Sequence, residues 1–363
     1  MKPKYLPAIA AIYTSVCVWQ NGIPWIPNNV SISSSRAEAQ VPTKSEWAVL
    51  SKIDINLLAF LASTGVIDQN SGALGKNRNG YISAGFQRYG SRFITYGILT
   101  KNLQLIDVGL RSIEYPIRYQ NADGSFIDYS PGVNGVIHPG SMAFYLHDVG
   151  HSLVLCKNSK WFQESTETAA FRTRIDRLKA PLTKSLNWLI AREAALVRGD
   201  GNGNGTNRLW VDANAYYLMG RGLDRIDAVR LGEKFANLAL QQQNAAGAFL
   251  EKNGFDSSYQ AVSLHQALIF YTNLSSQANQ RPIVWAAIQR GMMLEYKYIL
   301  PTGEVETKGN TRVYAGGETY AGYEKNVDYL AVVQSLRYYF ELSQDINSKN
   351  AADLSWAYYR RPK

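Results

Sequence analysis

The sequence predicts an all-α protein, folded as an α/α toroid in which about five helical hairpins form an incomplete ring. Three observations indicate this class. Apolar residues recur at spacings of three and four, as in Ile226, Val229 and Phe235, which is the period of an amphipathic helix. The helices come in pairs, with a long Gly/Asn-rich loop inside each pair and a short link to the next pair. A short loop sequence also repeats along the chain.

Five pairs follow one another, and the second helix of a pair is often apolar nearly all round. The predicted pairs are 45–63 with 82–98, 103–119 with 139–156, 162–197 with 210–221, 224–243 with 257–273, and 281–299 with 323–343. Asp224 is a suitable N-cap for the fourth pair. The stretch 261–271 is apolar on every face, so the second helices are expected to lie inside the ring.

The repeat lies in the loops between paired helices. The segment 120–127, QNADGSFI, resembles 243–250, QNAAGAFL, and the segment 301–305, PTGEV, is a weaker copy. Repeated hairpins of roughly 50 residues must stack side by side to bury their apolar faces. A toroid with its long loops at one rim is the natural closure. A solenoid with a concave binding face is the structural alternative.

Composition limits the class of protein and of partner. The chain has 363 residues, 46% of them hydrophobic and 18% charged, which is enough apolar material for a sizeable core. Lys and Arg total 38 against 29 Asp and Glu, a formal charge of +9, which suits an anionic partner. Because the cations are scattered, an acidic polysaccharide is expected rather than a nucleic acid.

The N-terminal 39 residues have the features of an export signal. Lys2 and Lys4 precede a largely apolar stretch, and the small-x-small pattern at 37–39 fits a cleavage site. An uncleaved N-terminal anchor is the alternative. We therefore expect a signal peptide at 1–39 and one catalytic domain at 40–363, secreted or periplasmic and monomeric. No later run is long and apolar enough to span a membrane.

Four loops carry polar side chains that turn chemistry alone does not explain. Gly and Asn are ordinary turn residues, but Arg, His and Tyr at the starts of inner helices are not. The residues concerned are Asn77 and Arg78 in the first loop, Asp128, Tyr129 and His138 in the second, Arg208 and Trp210 after the third, and Glu318, Tyr320 and Tyr323 in the last. We therefore predict that these loops form the rim of a functional site.

Three short motifs carry a family resemblance. The segment 123–129, DGSFIDY, resembles the DGS-aromatic-I-x-H signature of the hyaluronate/chondroitin/xanthan lyase family. The segment 75–78, GKNR, resembles that family's G-x-N-R. The segment 219–225, MGRGLDR, resembles its R-G-R-x-I-x-R stretch. The matches stand in the family's order and span about residues 75–225, under half of the chain.

The resemblance implies an α/α-toroid catalytic domain that cleaves a uronate-containing polysaccharide by β-elimination, without a cofactor. In that chemistry Asn77 neutralises the carboxylate, and Arg221 and Arg225 hold the anionic sugar. A Tyr and a His move the protons. This chain has Tyr129 at the family's His position and His138 at its Tyr position, so the two would share the transfers. Tyr145 is the alternative base. Arg78, Arg208, Trp210, Tyr320 and Tyr323 would bind further sugars.

Two other functions remain open at this stage. A toroid glycoside hydrolase needs two carboxylates across its cleft, for which Asp128, Asp212 and Glu318 are candidates. A non-catalytic protein that binds acidic glycans would use the same aromatic and cationic side chains. The paired arginines and Asn77 favour the lyase, because a neutral-sugar hydrolase has no carboxylate to neutralise.

Two patterns have the spacing of metal sites. Asp200, Asn202 and Asn204 match the start of a calcium loop, but the acidic residue expected at its twelfth position is Val211. A flexible Gly/Asn loop is the preferred interpretation. His147 and His151 are four residues apart within an apolar helix, which favours core histidines that support a site over a metal pair.

Overall fold

The α/α toroid is confirmed. The computed structural model describes residues 41–130, 135–197, 205–320 and 323–362, and Val41–Lys363 forms one compact unit. The described residues contain fourteen α-helices, several 3₁₀ turns and two short antiparallel strand pairs. The predicted signal at 1–39 lies outside the described residues. None of the described helices combines the length and the apolar character needed to cross a membrane.

The elements follow the paired order of the sequence. The α-helices are α1 Glu46–Leu50, α2 Ile55–Thr64, α3 Gly90–Thr100, α4 Leu103–Ile117, α5 Pro139–Asn158, α6 Lys160–Glu164, α7 Ala169–Ile190, α8 Glu193–Val197, α9 Thr206–Gly222, α10 Ile226–Gln241, α11 Ser257–Asn273, α12 Gln280–Glu295, α13 Tyr329–Ser343 and α14 Ile346–Tyr359. The strands are β1 Ile127–Asp128, β2 Val136–Ile137, β3 Thr319–Tyr320 and β4 Tyr323–Glu324. Strand β1 pairs with β2, and β3 pairs with β4.

The helices form two concentric layers. The inner layer is an arc in which α3 contacts α5, α5 contacts α9, α9 contacts α11 and α11 contacts α13. The outer helices α4, α10, α12 and α14 pack against α3, α9, α11 and α13, and α7 packs against α5. Helix α2 contacts α3, and its Phe60 ring lies 4.9 Å from that of Trp356 on α14. Helices α1 and α2 thus sit at the gap in the arc.

The inner helices all run in one direction. Each of them follows a long loop and ends in a short link to an outer helix, so their N-termini meet at the rim of long loops. Their burial agrees with the sequence: α9 is buried from Leu209 to Gly220, and α11 from Ala267 to Asn273. Side-chain caps begin several of these helices; Asp256 Oδ1 accepts from Tyr259 N at 3.1 Å, and Asp328 Oδ1 accepts from Ala331 N at 3.0 Å.

The repeated loop sequence has a structural explanation. In the three copies, and also in the loop after α2, a glycine with positive φ lies against the backbone of the next outer helix. The contacts are Gly72 on Arg111 of α4, Gly124 on Lys184 of α7, Gly247 on Arg290 of α12, and Gly303 on Leu354 of α14. An added Cβ would overlap the carbonyl oxygen in all four places. The repeat therefore fixes the spacing between neighbouring hairpins.

Several predicted boundaries were wrong. The helix predicted at 45–63 is divided at Asp54, which caps α2, and the stretch 82–89 is a 3₁₀ turn and loop before α3. The helix predicted at 162–197 is broken into α6, α7 and α8, because Ser159 and Ser165 cap new turns. Residues 323–328 form β4 and a loop instead of a helix start. Helix α14, capped by Asp345, was not predicted.

Candidate functional site

A cavity of about 380 Å³ lies at the centre of the ring, inside the range of ~300–1,000 Å³ usual for small-molecule sites. Its lining comes from all five inner helices and from α1 and α2. Tyr89 and Asp328 are exposed at the loop rim, whereas His151 and Tyr338 are buried toward the other end. The cavity therefore has its mouth at the loop rim and a floor beside α1.

Asp148 on α5 is the buried carboxylate of the cavity wall. It is 2% exposed, and its Oδ1 and Oδ2 accept hydrogen bonds from Ser91 Oγ at 2.5 Å and Ser91 N at 3.0 Å. Burial raises the pKa of Asp148 to about 6, although the Ser91 hydrogen bonds and the neighbouring His151 oppose the shift. A carboxyl group in this state can give or take a proton near neutral pH.

Three histidines line the inner part of the cavity. His151 Nε2 lies 2.7 Å from Glu46 Oε1. Burial lowers the pKa of His151, but the Glu46 carboxylate outweighs it, and the net shift is upward. Burial lowers the pKa values of His147 and His265 to about 3, so these two rings are neutral. The histidines predicted as core residues thus belong to the wall of the site.

The mouth of the cavity is rich in cations. Arg88 lies 4.7 Å from the centre of the Phe144 ring, and Arg208 lies 4.2 Å from it. On the opposite side, Lys325 Nζ donates to Tyr259 Oη at 3.1 Å. The Arg312 guanidinium carbon lies 3.8 Å from the centre of the Tyr259 ring. Anionic groups of a ligand would meet these side chains first.

A partly buried ion network lies on the Tyr259 side of the mouth. Glu318 contacts Arg312 at 2.8 Å, Lys325 at 2.7 Å and Lys252 at 3.0 Å. Burial opposes ionisation, yet these three cations lower the pKa of Glu318 to about 2. Because Glu318 is committed to this network, it positions the cations and does not act as the hydrolytic carboxylate that the sequence suggested.

Asn77 does not present its side chain to the cavity. It is 1% exposed, its Nδ2 donates to Ser83 O at 2.8 Å and Gln87 Oε1 at 3.1 Å, and its Oδ1 accepts from the backbone of Ile82 and Ser83. The structure does not place the amide where the predicted neutralisation of a substrate carboxylate requires it, because both ends of the amide bind its own loop. Arg78 is exposed on that loop and donates to Gly75 O.

The structure separates Tyr129 from His138. Strand pairing sets Asp128 opposite Val136 and Ile127 opposite Ile137, so the two residues stand at opposite ends of the β1–β2 hairpin. Three strand positions correspond to about 10 Å. Tyr129 is 55% exposed, and His138 Nδ1 caps α5 by accepting from Ser141 N at 3.2 Å. Shared proton transfer between them is therefore contradicted by the geometry.

Two other predicted residues of this region have structural roles. Asp128 is buried and accepts from Ser83 Oγ at 2.9 Å and from Ser141 Oγ. It thereby ties the second loop to α5. Tyr145, the alternative base, is fully buried and donates to Ile113 O at 2.7 Å, and burial raises its pKa. Neither side chain lines the cavity.

Arg221 and Arg225 lie at the end of the ring opposite the loop rim. Both come at the C-terminus of α9, where a short link leads to α10. Arg221 donates to Asn273 O at the end of α11, and Arg225 pairs with Asp227 at 2.6 Å. The structure therefore does not bring the two predicted sugar-binding arginines to the mouth, because an inner helix has its C-terminus away from it.

The remaining predictions have different outcomes. Trp210 is completely buried and packs edge-on against Phe249, so it belongs to the core and cannot stack on a sugar. Asp212 is also buried in α9. Tyr323 is 80% exposed on β4. The side chain of Tyr320 lies outside the described residues, as do Asp200, Asn202 and Asn204 of the possible calcium loop. Among the described residues, no group of three acidic, His or Cys side chains could hold a metal.

Sequence reasoning missed the residues that line the cavity. Asp148, Arg92, Tyr259 and Lys325 are not among the predicted site residues, although all four line the cavity. A usable signal existed, because Asp148 lies between two histidines in a helix predicted to be inside the ring. Only the structure shows that this face of α5 is turned toward the central cavity.

The comparisons with known proteins agree with the fold. A complex of an unsaturated glucuronyl hydrolase variant with the saccharide dGlcA-Glc-Rha-Glc is similar at a TM-score of 0.52 and 15% identity, covering 82% of this chain and 86% of that one. The unsaturated glucuronyl hydrolase from Bacillus sp. GL1, described as responsible for glycosaminoglycan degradation, gives a TM-score of 0.47 at 14% identity, covering 72% and 74%. No protein-family profile and no curated protein matches the sequence.

Proposed function

We propose that the protein is a hydrolase that takes the end of a short acidic sugar chain into the central cavity, with Asp148 as the general acid. The observation that carries this proposal is the burial of the Asp148 carboxyl group in the cavity wall, with a pKa raised to about 6. The similar fold of a protein crystallised with a dGlcA-ended saccharide supports the choice of substrate class.

Two carboxyl groups line the cavity, and they differ in burial. Asp148 is buried, whereas Asp328 is exposed at the mouth and caps α13. Ordinary glycoside hydrolysis uses two carboxyl groups on either side of the scissile bond. An unsaturated uronate at a chain end has a C4=C5 enol ether, which needs only one acid. The single buried carboxyl group therefore favours an unsaturated sugar as the substrate.

The proposed reaction adds one water across that double bond. Asp148 gives its proton to C4, and water attacks C5 and returns a proton to Asp148. The resulting hemiketal opens, which leaves a hemiacetal at C1. The hemiacetal releases the next sugar as an alcohol, and the former terminal uronate leaves as a keto acid. No cofactor takes part in these steps.

Cations at the mouth suit the carboxylate of this substrate. Arg88, Arg92 and Lys325 line the cavity. Charge-assisted hydrogen bonds from such groups are about twice as strong as neutral ones. The formal charge of +9 on the whole chain would also attract an anionic saccharide.

Product analysis on three matched substrates tests the proposal. The substrates are an unsaturated acidic disaccharide, its saturated counterpart and the intact polymer, and the products are followed by mass spectrometry. The proposal expects that only the unsaturated disaccharide takes up one water and is split into two monosaccharides. Cleavage of the saturated disaccharide at an equal rate would contradict it. Asp148→Asn should abolish the reaction, whereas Asp328→Asn, which keeps a good N-cap, should not.

A lyase remains a second candidate because of Tyr259. Its hydroxyl group accepts a hydrogen bond from Lys325, and Arg312 lies on its ring. A tyrosine hydroxyl that lies in the cavity lining between two cations is the type of side chain that a β-elimination base requires. This candidate expects new unsaturated ends from the intact polymer and their loss in Tyr259→Phe. Products with a gain of water and no new double bond would reject it.

A further inference from the structure

Helix α1 closes the floor of the cavity and brings one carboxylate to it. Glu46 is 3% exposed and contacts three inner helices. Its Oε1 lies 2.7 Å from His151 Nε2 on α5 and accepts from Tyr338 Oη on α13 at 3.0 Å, and its Oε2 accepts from Asn273 Nδ2 on α11 at 2.8 Å. One side chain therefore links α5 to the neighbouring helices α11 and α13.

The segment that carries Glu46 is fixed on both sides. The carbonyl oxygen of Pro42 accepts from Arg281 Nε at 3.0 Å, from Arg281 Nη2 at 2.8 Å and from Tyr271 Oη at 2.5 Å. Trp47 Nε1 donates to Leu155 O at 3.0 Å. These contacts give Glu46 a defined position, as a group that orients a catalytic side chain requires.

We propose that Glu46 is a positioning residue of the site, which holds His151 in a fixed orientation and in its charged form beside Asp148. This inference rests on the proposed function, in which Asp148 is the acid. Asp148 and His151 lie one helical turn apart on α5 and both line the cavity. Glu46 reaches the cavity only through His151. It can therefore influence the reaction only through the charge and orientation of that histidine.

The charges around this pair determine the direction of the effect. The groups that face Asp148 and His151 are Glu46 from α1, Ser91 and Arg92 from α3, Tyr145 and His147 from α5, His265 and Asn273 from α11, and Tyr338 from α13. His151 is the cation that lowers the pKa of Asp148 most, followed by Arg92. Without Glu46, burial lowers the pKa of His151 and only Asp148 opposes it, so we expect the ring to become neutral. Asp148 then loses its nearest cation, and its pKa rises further.

The test compares pH profiles of hydrolysis for the wild type, Glu46→Gln, His151→Gln and the double variant. The activity of a general acid falls as pH rises through its pKa. We expect each single variant to move this fall to higher pH by about 0.5–1 unit, since an opposite charge nearby shifts a carboxyl pKa by about one unit or more. The double variant should move it no further than His151→Gln alone. Trp47→Phe, which loosens α1 without changing a charge, should leave it in place.

Nuclear magnetic resonance gives a readout that does not depend on activity. The chain has four histidines, so the imidazole nitrogen signals can be assigned with single His→Gln variants, and the Asp148 carboxyl carbon with Asp148→Asn. The inference expects a charged His151 ring in the wild type and a neutral ring in Glu46→Gln at the same pH. It also expects a higher titration midpoint for the Asp148 carboxyl carbon.

Each outcome bears on one proposal. If Glu46→Gln leaves His151 charged and the Asp148 midpoint unchanged, the inference is overturned. If the resonance shifts appear but no hydrolysis occurs in the wild type, the proposed function fails while the link between Glu46, His151 and Asp148 stands. If Glu46→Gln does not fold, the wild-type resonances carry the test, because a neutral His151 ring at neutral pH would overturn the inference.

Discussion

At the scale of single residues, the site contains two carboxyl groups whose pKa values are shifted in opposite directions. Asp148 is buried without a direct ion pair to any cation in the described residues, so burial raises its pKa to about 6. Glu318 is surrounded by three cations, and its pKa falls to about 2. The same functional group is thus kept as an acid inside the cavity and as a permanent anion beside its mouth.

The raised pKa of Asp148 predicts the pH dependence of activity. The proton donor must be protonated, so kcat/KM should fall as the pH rises through about 6. A rate profile on an unsaturated disaccharide measures this limb. A profile that is flat from about pH 5 to 8, or one that rises, would remove Asp148 from the role of acid.

The same shift has a consequence for stability. A group whose folded pKa is raised contributes stability below its ordinary pKa and loses it as the pH rises through the folded value. The Asp148→Asn variant should therefore gain stability relative to the wild type as the pH rises from about 4 to about 6, and keep that gain at higher pH. Thermal unfolding of both proteins at several pH values measures the difference. A difference that is constant with pH would show that Asp148 is not perturbed.

Two lysines allow a controlled test of substrate recognition. Lys325 and Lys252 both pair with Glu318, but only Lys325 lines the cavity. Lys325→Met should raise KM for an acidic disaccharide about tenfold, because a charge-assisted hydrogen bond is worth about 1.5–3 kcal/mol. Lys252→Met should leave KM within about twofold. Equal effects of the two substitutions would mean that Lys325 acts only through the ion network.

At the scale of elements, the glycine turns explain how hairpins of dissimilar sequence keep one spacing. Four turns use a glycine with positive φ whose α-carbon touches the next outer helix. The backbone at these points approaches so closely that no side chain fits. The repeat noticed in the sequence is therefore a packing device rather than a binding motif.

The turn at Gly247 can be compared with that at Gly309. Both glycines have positive φ, of 94° and 85°, but an added Cβ meets the Arg290 backbone at Gly247 and nothing within 4 Å at Gly309. We expect Gly309→Ala to cost about 1 kcal/mol of unfolding free energy, from φ alone, and Gly247→Ala at least about 2–3 kcal/mol. Denaturant unfolding measures both. Similar costs would show that the close approach is relaxed in solution.

The elements were predictable where periodicity and capping agreed. The helices 103–119, 139–156 and 257–273 were predicted within a few residues, because each combines an apolar period with a clear end. Helix α14 was missed although Asp345 is a good N-cap, because its apolar residues are spread around the helix instead of forming one face. Trp210 was assigned to the rim because loop sequence precedes it, but it lies past the first turn of a fully buried helix.

At the scale of the whole molecule, the ring is open at one end and closed at the other. The long loops surround the mouth, and α1 with Glu46 and Leu50 closes the floor. A saccharide chain bound in such a cavity would enter it by one end. The open mouth and the closed floor depend on the assembled ring and on the segment that carries α1. No motif in the sequence specifies this arrangement.

The closed floor predicts attack at chain ends. Digestion of an acidic polymer pretreated to carry unsaturated ends should release terminal sugars while the viscosity of the solution stays nearly constant. Size-exclusion chromatography together with assay of the released sugar measures both quantities. A rapid fall in viscosity before any terminal sugar appears would show internal cleavage and an open path through the molecule.

The site was less predictable than the fold. Motif matching placed the chemistry in the loops, at Asn77, Tyr129 and His138, whereas the cavity wall is formed by the inward faces of α3, α5, α11 and α13. Loop sequences are visible as departures from periodicity, so they attract attention. A polar residue such as Asp148 on a helix that is buried all round can be recognised as a wall residue only when the ring is closed around it.

The most direct test is the ultraviolet absorbance of an acidic disaccharide with a C4=C5 double bond during incubation with the protein. The proposed hydration consumes the double bond, so the absorbance should fall with the wild type and stay constant with Asp148→Asn. The saturated disaccharide, as a control, should show no change. An absorbance that rises on the intact polymer and does not fall on the disaccharide would contradict the hydrolase and assign the cavity to elimination at Tyr259.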